Sequence, residues 1–403
     1  RKCIELMSDI LNLAINKVQQ AQAALCKFIT ANDTGSTGGH QCGYHISKEA
    51  WPMFLNTKAI KGTNIDLPIQ IRWQDEFNTD SRFKYYGVGT RNEYRITRFG
   101  RSFPFLNDEN VGDLLVLARY DKDYYEAFVL QSDEDIDDFF SCFNLSYDKT
   151  NQIIDVNQTE QPEQRLLVFI NDFVARYANF PETRIMAKGA RDCFNMANNI
   201  VTNNVVSNPD NVLLGWLDTE YTLFKYMEEK VYSNILSQPF SSVDAFVAMA
   251  NEVLNRRKSR AGKSLEHHLA DIFTHSNLIF EEQVVTEENK KPDFVFPNGK
   301  CYHNITFPGD LLTVLGAKTT CKDRWRQVLN EADRVDDKYL FTLQQGISSN
   351  QLKEMQDYNL HLVVPHKYLA SFPKEYRDGI CDLSTFIGMV KERQDKTPKH
   401  YFI

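Results

Sequence analysis

The predicted secondary structure of the chain changes at one polar segment. This change restricts the possible folds more than any other feature. Residues 147–164 are rich in Asn, Gln, Asp and Glu. Alternating strand-like segments precede them, and helical periodicity follows. The 403 residues are also too many for one ordinary domain of about 100–150 residues. We therefore predict two domains, residues 1–146 and 165–403, joined by a polar linker over 147–164.

The part before the linker is predicted to be mainly β. Residues 4–29 have helical apolar spacing and predict a helix that ends at the Gly-rich run 32–39. The acidic run 133–138 predicts the solvated start of another helix. Short alternating segments lie between them, and the last two flank turn residues 120–123, which predicts a hairpin. These segments are 67–73, 93–99, 114–119 and 124–130. Many short strands predict a barrel or a sandwich.

The part after the linker is predicted to be α/β. Helical periodicity continues from 165 to about 275, and strand-like segments alternate with helices beyond 280. That order predicts helices packed on a mixed sheet. A hydrophobic content of 42% and a charged content of 25% allow a sizeable core.

The cysteines and the hydropathy pattern indicate a cytoplasmic protein with no membrane association. None of the eight cysteines stands at CxxC spacing, so we expect reduced thiols rather than a disulfide framework or a zinc site. No apolar run approaches the roughly 20 residues of a membrane span. No signal-peptide pattern opens the sequence.

Several common catalytic motifs fail. Gly262-Lys263-Ser264 resembles the end of a phosphate-binding loop, but Arg257 stands where the motif requires its first glycine. The sequence contains no HExxH and no GxSxG. A net charge of −8 further implies that any contact with nucleic acid depends on local basic patches.

One carboxylate and one lysine follow a pattern typical of metal-dependent nucleases. Asp293 precedes the apolar segment 294–296, and Lys318 closes the apolar segment 313–318. On neighbouring strands, the carboxylate would hold Mg²⁺, and the lysine would orient or deprotonate a water and neutralise charge. The spacing alone is common by chance. The alternative is that Asp293 caps a turn and Lys318 is a solvated strand end.

The usual nuclease signature has a second acid two residues before the lysine, where this chain has Gly316. Glu331 is a substitute, in a helix predicted over 323–334. Its apolar spacing gives that helix a buried face, which Glu331 flanks. Glu266, in a helix predicted over 264–273, is a further acid.

Basic residues cluster in three places that could contact DNA. The first places five cations within eight residues, and the second follows Lys318. The third surrounds the single acid Glu93, and a mixed Arg/Glu set can read guanine and cytosine, whereas phosphate contacts require no acid. Surface salt bridges are the alternative for each cluster. The clusters are Arg256, Arg257, Lys258, Arg260 and Lys263; Lys322, Arg324 and Arg326; and Arg91, Arg95, Arg98 and Arg101.

Longer stretches resemble the EcoRII family of restriction endonucleases. The resemblance is strong in the last 150 residues, patchier in the first 150 and weakest between 145 and 235. In the C-terminal half it rests on Asn255–Glu266, Lys290–Asp293, Ala317–Gln327 and Leu329–Asp333. In the N-terminal half it rests on Ala31–Gly35, Gly38–Gln41, Thr90–Glu93 and Arg95–Arg98.

The resemblance implies an N-terminal effector domain with a DNA-binding pseudobarrel fold and a C-terminal α/β domain of the PD-(D/E)xK nuclease fold. It implies a homodimer that cuts both strands of double-stranded DNA with Mg²⁺. The implied target is CC(A/T)GG, cut before the first C. The effector domain would block the catalytic cleft until it binds a second DNA site, and a companion methyltransferase would protect the host DNA.

The resemblance also assigns residues. It gives Asp293, Lys318, Glu331 and Glu266 as catalytic, with Asp293 and Glu331 on the metal. Tyr302 matches a tyrosine suspected of a role in cleavage, although a tyrosine beside a strand more often packs. Lys322, Asp323 and Arg324 would read C·G pairs, and Arg257, Lys258, Arg260 and Lys263 are further DNA-binding candidates. His40, Arg91, Glu93 and Arg95 would form the effector site. Gly89 and Tyr94 stand where the family has lysines, which would change the affinity or the salt dependence of that site.

The sequence therefore favours a Mg²⁺-dependent type II restriction endonuclease. One alternative is a non-catalytic DNA-binding regulator on a decayed nuclease scaffold, but the acid and lysine set is complete. A second alternative is a structure-specific nuclease such as a junction resolvase, which would not give fixed cleavage positions.

Overall fold

The structure is a computed structural model that describes residues 9–36, 42–154, 164–398 and 401. These residues divide into two compact units. The first contains the described part of 1–158 with segments 344–354 and 368–378, which the predicted boundaries place in the C-terminal domain. The second contains the described part of 159–343, 355–367 and 379–403. No helix in the described ranges is long and apolar enough to cross a membrane.

The first unit is built on one eight-stranded sheet in the order β2-β5-β4-β3-β7-β6-β1-β8. Only β3 and β7 run parallel among its described pairs. The strands are β1 Ala23–Phe28, β2 Tyr44–Ile46, β3 Asn64–Trp73, β4 Phe77–Tyr86, β5 Glu93–Thr97, β6 Leu114–Arg119, β7 Tyr124–Leu130 and β8 Gln152–Ile153. The helices are α1 Asp9–Gln20, α2 Ala31–Thr34 and α3 Asp133–Cys142, with 3-10 turns at Trp51–Met53 and Asp108–Asn110.

The predicted hairpin is confirmed, and so is a helix start at the acidic run. The expectation that this start is solvated is wrong, because Asp133 and Asp138 are 2% and 8% exposed. β6 and β7 have the predicted bounds and pair antiparallel, and α3 begins at Asp133, capped by the side chain of Ser132. The single helix over 4–29 is wrong within the described residues, because α1 ends at Gln20 and β1 follows; residues 4–8 lie outside them. Pairing with β6 buries most of β1, so tertiary contacts override its helical spacing.

The segment predicted as a linker begins inside the first unit. Tyr147 is buried and its ring stacks on Phe140 with centroids 4.3 Å apart. Asn151 ties the edge of β2 to this segment: its Oδ1 accepts from the backbone N of Ser47 at 3.0 Å, and its Nδ2 donates to the carbonyl of His45 at 3.1 Å. A side chain thus joins the two ends of the sheet order, which suits a barrel that its ladders leave open. The linker prediction is wrong for 147–154, and 155–163 lie outside the described residues.

A buried ion pair fixes the entry to β2. Lys27 and Asp33 are 3% and 0% exposed, and their side chains form a salt bridge. Asp33 also accepts hydrogen bonds from the backbone N of Thr30 at 2.8 Å and of His45 at 2.6 Å. Burial lowers the pKa of Lys27, and the charge of Asp33 opposes that shift. The aspartate therefore joins β1, α2 and β2 at one point.

The second unit combines a helical part with a six-stranded mixed sheet in the order β14-β13-β12-β11-β10-β9. β11 to β14 run parallel, and β10 is antiparallel to β11 and β9. The strands are β9 Glu281–Glu282, β10 Phe294–Phe296, β11 Thr313–Lys318, β12 Lys338–Thr342, β13 Leu360–Val364 and β14 Cys381–Asp382. This is the predicted α/β arrangement with a mixed sheet.

The helices after residue 164 are α4 Gln164–Ala175, α5 Thr183–Asn198, α6 Thr202–Ser207, α7 Pro209–Leu236, α8 Val243–His275, α9 Gly299–His303, α10 Trp325–Leu329, α11 Ser349–Asp357 and α12 Leu383–Lys396. The 3-10 turns are Glu287–Asn289, Gly309–Leu311, His366–Ser371 and Lys374–Gly379. The helix predicted over 323–334 is shorter than expected, because α10 ends at Leu329 and Glu331 follows it in irregular backbone.

The C-terminal half of α8 packs on the sheet. The ring of Phe273 meets those of Phe294 and Phe296 of β10 edge to face, with both centroid distances 5.2 Å. A buried polar contact joins α8 to α7: Glu220 accepts from Ser264 Oγ at 2.7 Å and lies 2.7 Å from His268 Nε2. Glu266 is two residues from each of these anchors, so its position on α8 is set from both sides.

We predict that Asp33→Ala destabilises the first unit by about 3–5 kcal/mol, because it leaves a buried lysine without its partner. Urea unfolding followed by tryptophan fluorescence measures the change, since Trp73 lies in the core of this unit. Asp66→Ala is the matched control. The Asp66 side chain is 44% exposed and pairs with Arg82, so this salt bridge should contribute at most about 1 kcal/mol to the free energy of unfolding. Equal losses of stability for the two variants would contradict the stabilising role of the buried pair between Lys27 and Asp33.

Candidate active site

Asp293 lies directly before β10, and donors hold both oxygens of its carboxylate. Oδ2 accepts from the backbone N of Ala317 at 2.8 Å and from Nζ of Lys318 at 3.2 Å. Oδ1 accepts from Nε2 of Gln283 at 3.1 Å. Asp293 is 7% exposed. The antiparallel pairing of β10 and β11 thus brings together the carboxylate and the lysine that the sequence pattern pairs.

Glu331 contributes a second carboxylate with an unusual environment. Its Oε2 is buried and accepts no hydrogen bond from the described residues. Burial raises the pKa of Glu331 to about 7, while the charge of Lys318 lowers it and that of Asp293 raises it. The Glu331 carboxyl is therefore subject to the charges of both Lys318 and Asp293. A buried carboxylate oxygen without a donor is costly unless a proton or a cation occupies it.

Glu266 lies at the margin of the same cluster. Burial raises the pKa of its carboxyl, and a hydrogen bond from Lys263 at 2.7 Å lowers it. The charges of Asp293 and Lys318 also act on it. Glu266 is thus subject to the charges of Asp293 and Lys318, while its own hydrogen-bond partner is Lys263.

Packing explains why a glycine stands at the usual acid position. A Cβ atom on Gly316 would lie 2.9 Å from Cγ2 of Val328 in α10, closer than real Cβ contacts allow. α10 therefore packs directly on the backbone of β11 at this residue. Glu331 follows α10 by two residues. The helix that crowds position 316 thus leads directly into the segment that carries the substitute acid.

The carboxylates fit a hard divalent cation held in part by water. Mg²⁺ prefers oxygen ligands and is usually bound by one or two carboxylates together with waters and substrate phosphates. Asp293 Oδ1 and the buried Oε2 of Glu331 are the oxygens suited to that role. The described ranges contain no group of three or more His, Cys, Asp or Glu side chains that could hold a metal, so an all-protein cage is not formed there.

Tyr302 is a core residue whose hydroxyl is occupied. Its ring is 1% exposed, and its hydroxyl donates to Glu287 Oε2 at 2.6 Å. Burial raises the pKa of the phenol. Glu287 also accepts from the backbone N of Asp333 at 3.2 Å, which anchors the segment just after Glu331. The geometry therefore favours the packing interpretation of Tyr302, together with support for that segment.

The basic side chains of α8 that were predicted to contact DNA differ in their burial. Arg257 forms two hydrogen bonds with Glu228 of α7, at 2.8 and 2.7 Å. The guanidinium of Arg260 lies 5.0 Å from the ring centroid of Phe224. Both are half-buried between the helices, whereas Lys258 and Lys263 are exposed. The two arginines thus stabilise the α7–α8 contact, which the run of charges in the sequence does not indicate.

The segment predicted to read bases lies shortly after β11, which ends at Lys318. Lys322 is 8% exposed, while Asp323 is exposed and Arg324 is half-buried. Arg324 donates to Thr320 Oγ1 at 2.6 Å. The reading candidates therefore begin four residues after Lys318, in the turn between β11 and α10.

In the first unit the predicted effector residues differ in exposure. Arg91 is exposed, with its guanidinium 5.3 Å from the ring centroid of Tyr86. Glu93 is half-buried, and Arg95 is 5% exposed and donates to the carbonyl of Gly43 at 3.1 Å. His40 lies outside the described residues.

The structure also shows the surroundings of Tyr94 and Gly89, which stand where the family has lysines. Tyr94 is 3% exposed and its ring lies 4.7 Å from that of Tyr85, so it is a core residue. Gly89 has a φ of 69°, a left-handed conformation that glycine adopts without strain.

Two residues close to the site could not be identified from the sequence. Gln283 and Glu287 contact Asp293 and Tyr302, but neither belongs to a spacing pattern of acids and lysines. The short β9–β10 pairing and the 3-10 turn bring them into place. A two-residue strand produces no detectable alternation.

Comparisons with known proteins cover both halves of the chain. The family description "Restriction endonuclease EcoRII, N-terminal" matches residues 18–143, and "EcoRII C terminal" matches residues 224–387. The chain is 35% identical over 405 residues to the "Type II restriction enzyme EcoRII" of Escherichia coli, covering 95% of this chain and 97% of that protein.

Two solved structures are also similar. "Metal-depleted Ecl18kI in complex with uncleaved, modified DNA" has a TM-score of 0.45 and 19% identity, covering 57% of this chain and 84% of that one. "Restriction endonuclease PspGI-substrate DNA complex" has a TM-score of 0.44 and 16% identity, covering 54% and 95%.

The raised pKa of Glu331 predicts that divalent-cation binding depends on pH. Below a pKa of about 7 the cation must displace a proton, so the affinity for Mn²⁺ should fall about tenfold between pH 8 and pH 6. Without metal, this group's contribution to stability is complete below its ordinary pKa of 4.5 and is lost as the pH rises through about 7.

Titration calorimetry with Mn²⁺ at the two pH values measures the affinity, with Glu331→Gln as the control. The variant should bind weakly at both. An affinity that changes less than twofold in the wild type would show that Glu331 is already ionised.

Proposed function

The chain belongs to the EcoRII family of type II restriction endonucleases, site-specific deoxyribonucleases, and we propose that it cuts both strands of a specific duplex sequence with Mg²⁺. The observation that carries this proposal is the buried Asp293 carboxylate, bonded to Lys318, beside the unsatisfied buried oxygen of Glu331. That arrangement suits hydrolysis of a phosphodiester, which needs a cation site and a charged donor at one place.

Each side chain then has a defined task. Asp293 and Glu331 hold the cation, which when bound polarises the phosphate and lowers the pKa of a water. Lys318 directs its ammonium group toward the attacking water and offsets the negative charge that develops on the phosphate. Glu266 supports the waters of the site through its own pairing with Lys263.

We further propose that Lys322, Asp323 and Arg324 read base edges. An arginine can bond two acceptors of guanine, and a carboxylate can accept from the amino group of cytosine. These chemistries suit the C·G pairs of CC(A/T)GG, with cleavage before the first C. Lys258 and Lys263 are the proposed phosphate contacts, which their exposure supports.

The proposal extends to assembly and regulation. A homodimer would supply two active sites, one for each strand. Arg91 and Glu93, with Arg95 and His40, form the proposed effector site for a second DNA copy, which relieves a block on cleavage. The enzyme acts in the cytoplasm beside a methyltransferase that protects host DNA. The regulator alternative requires a broken acid and lysine set, and this set is intact.

Asp293→Ala and Lys318→Ala should each lower the cleavage rate by about a hundredfold or more and leave specific DNA binding in place. The rate of plasmid cleavage with Mg²⁺, and its absence with EDTA, measures the first effect; a gel-shift assay measures the second. The control pair is Lys188 and Asp192, an exposed ion pair at 2.6 Å on α5, whose alanine variants should cut normally. Near-normal cleavage by either site variant would contradict the assignment, and cuts at no fixed position would favour a structure-specific nuclease.

The proposed effector site predicts that the full chain cuts a one-site plasmid slowly and a two-site plasmid quickly. An oligonucleotide that carries the site should increase the rate on the one-site plasmid. Arg91→Ala should lose at least about tenfold of that stimulation and keep the basal rate, because a coupling of about 1–3 kcal/mol is typical. Arg72→Ala, which alters a half-buried arginine paired with Asp75, is the control. Equal rates on both plasmids for the wild type would show that no coupling exists.

A further inference from the structure

Gln283 bonds to Asp293 through both its backbone and its side chain. Its backbone N donates to the carbonyl oxygen of Asp293 at 3.3 Å. Its side-chain Nε2 donates to Oδ1 of the same residue at 3.1 Å. The pairing of Glu282 with Phe294 places Gln283 opposite Asp293 at the end of the β9–β10 ladder. The glutamine is therefore the cross-strand neighbour of the central carboxylate.

The backbone of Gln283 is in a conformation that glutamine rarely adopts. Its φ is 56°, in the left-handed region where glycine or asparagine is favoured. The residue is also exposed, so burial of its own side chain does not account for the choice. Residues held in this region without a packing reason concentrate at functional sites.

The two oxygens of Asp293 have different partners. Oδ2 receives the donors of β11, the backbone N of Ala317 and Nζ of Lys318. Oδ1 receives the neutral amide of Gln283. A carboxylate oxygen has two lone pairs, so Oδ1 can accept this hydrogen bond and still bind a cation. Outer hydrogen bonds of this kind fix the orientation of metal-ligating carboxylates.

We propose that Gln283 is a positioning residue that orients Oδ1 of Asp293 for the divalent cation. The inference rests on the proposed function, since it presumes that Asp293 ligates the metal. Gln283 itself does not touch the cation; it acts through the carboxylate. With this left-handed backbone at the end of β9, the amide reaches Asp293.

The test compares Gln283→Gly and Gln283→Asn with the wild-type full chain. Glycine suits the left-handed backbone and removes the amide, and asparagine also tolerates that backbone but is one methylene shorter. Mn²⁺ binding, read from the paramagnetic resonance of the free ion without DNA, should weaken about tenfold or more in both variants. Thermal unfolding without metal should show no loss of stability in Gln283→Gly. In cleavage assays, the Mg²⁺ concentration for half-maximal rate should rise more than the maximal rate falls.

Two controls separate the possible failures. Asn277→Gly changes another exposed left-handed residue, with a φ of 55°, and should leave Mn²⁺ binding unchanged. Asp293→Asn should abolish binding. If Gln283→Gly binds Mn²⁺ as the wild type does while Asp293→Asn does not, the positioning role is overturned and the metal site stands. If Asp293→Asn also binds normally, the proposed metal site itself fails. Parallel losses of stability and metal binding in both Gln283 variants would reduce Gln283 to a structural residue and overturn the proposal.

Discussion

The hydrogen bonds that Asp293 receives from β11 organise the second unit around one carboxylate. A nearly buried carboxylate is costly unless donors surround it, and here the donors are the backbone N of Ala317 and the Lys318 ammonium. Satisfying that charge fixes the register of β10 on β11 and holds the lysine in place. Phe273 of α8 packs on the same strand β10, which carries Glu266 to the margin of the cluster. The hydrogen bonds that satisfy the charge of Asp293 thus help to position Lys318, and the packing on β10 positions Glu266.

The remaining acid is placed by the packing of α10. Because Val328 occupies the space beside Gly316, an acid at that position would have to displace Val328, and Glu331 lies just beyond the helix end. Glu287 and Tyr302 then hold the backbone that follows Glu331. The buried oxygen of Glu331 is left without a donor. An ionised carboxylate in that position is costly unless a proton or a cation satisfies it, which supports the proposed cation site.

Much of this arrangement could be predicted from the sequence because it depends on local patterns. The strands next to Asp293 and Lys318 are short apolar runs, and the hairpin of β6 and β7 consists of two apolar segments with turn residues between them. β1 could not be predicted, since its pairing with β6 overrides a helical spacing.

Residues 147–154 look like a linker because they are polar, yet Asn151 uses that polarity to join the ends of a sheet. Arg257 looks like a DNA contact, but it bonds to Glu228, and only the α7–α8 packing reveals that. Gln283 depends on a two-residue strand, which is too short to produce a pattern.

The central claim is that Asp293 and Glu331 together hold one divalent cation. An anomalous difference map from crystals of the full chain grown with Mn²⁺ tests it most directly. The account predicts one peak within about 2.0–2.6 Å of both Asp293 Oδ1 and Glu331 Oε2, with Lys318 still bonded to Asp293 Oδ2. A peak that contacts neither oxygen, or a Glu331 carboxylate that stays apart from the cation, would contradict it.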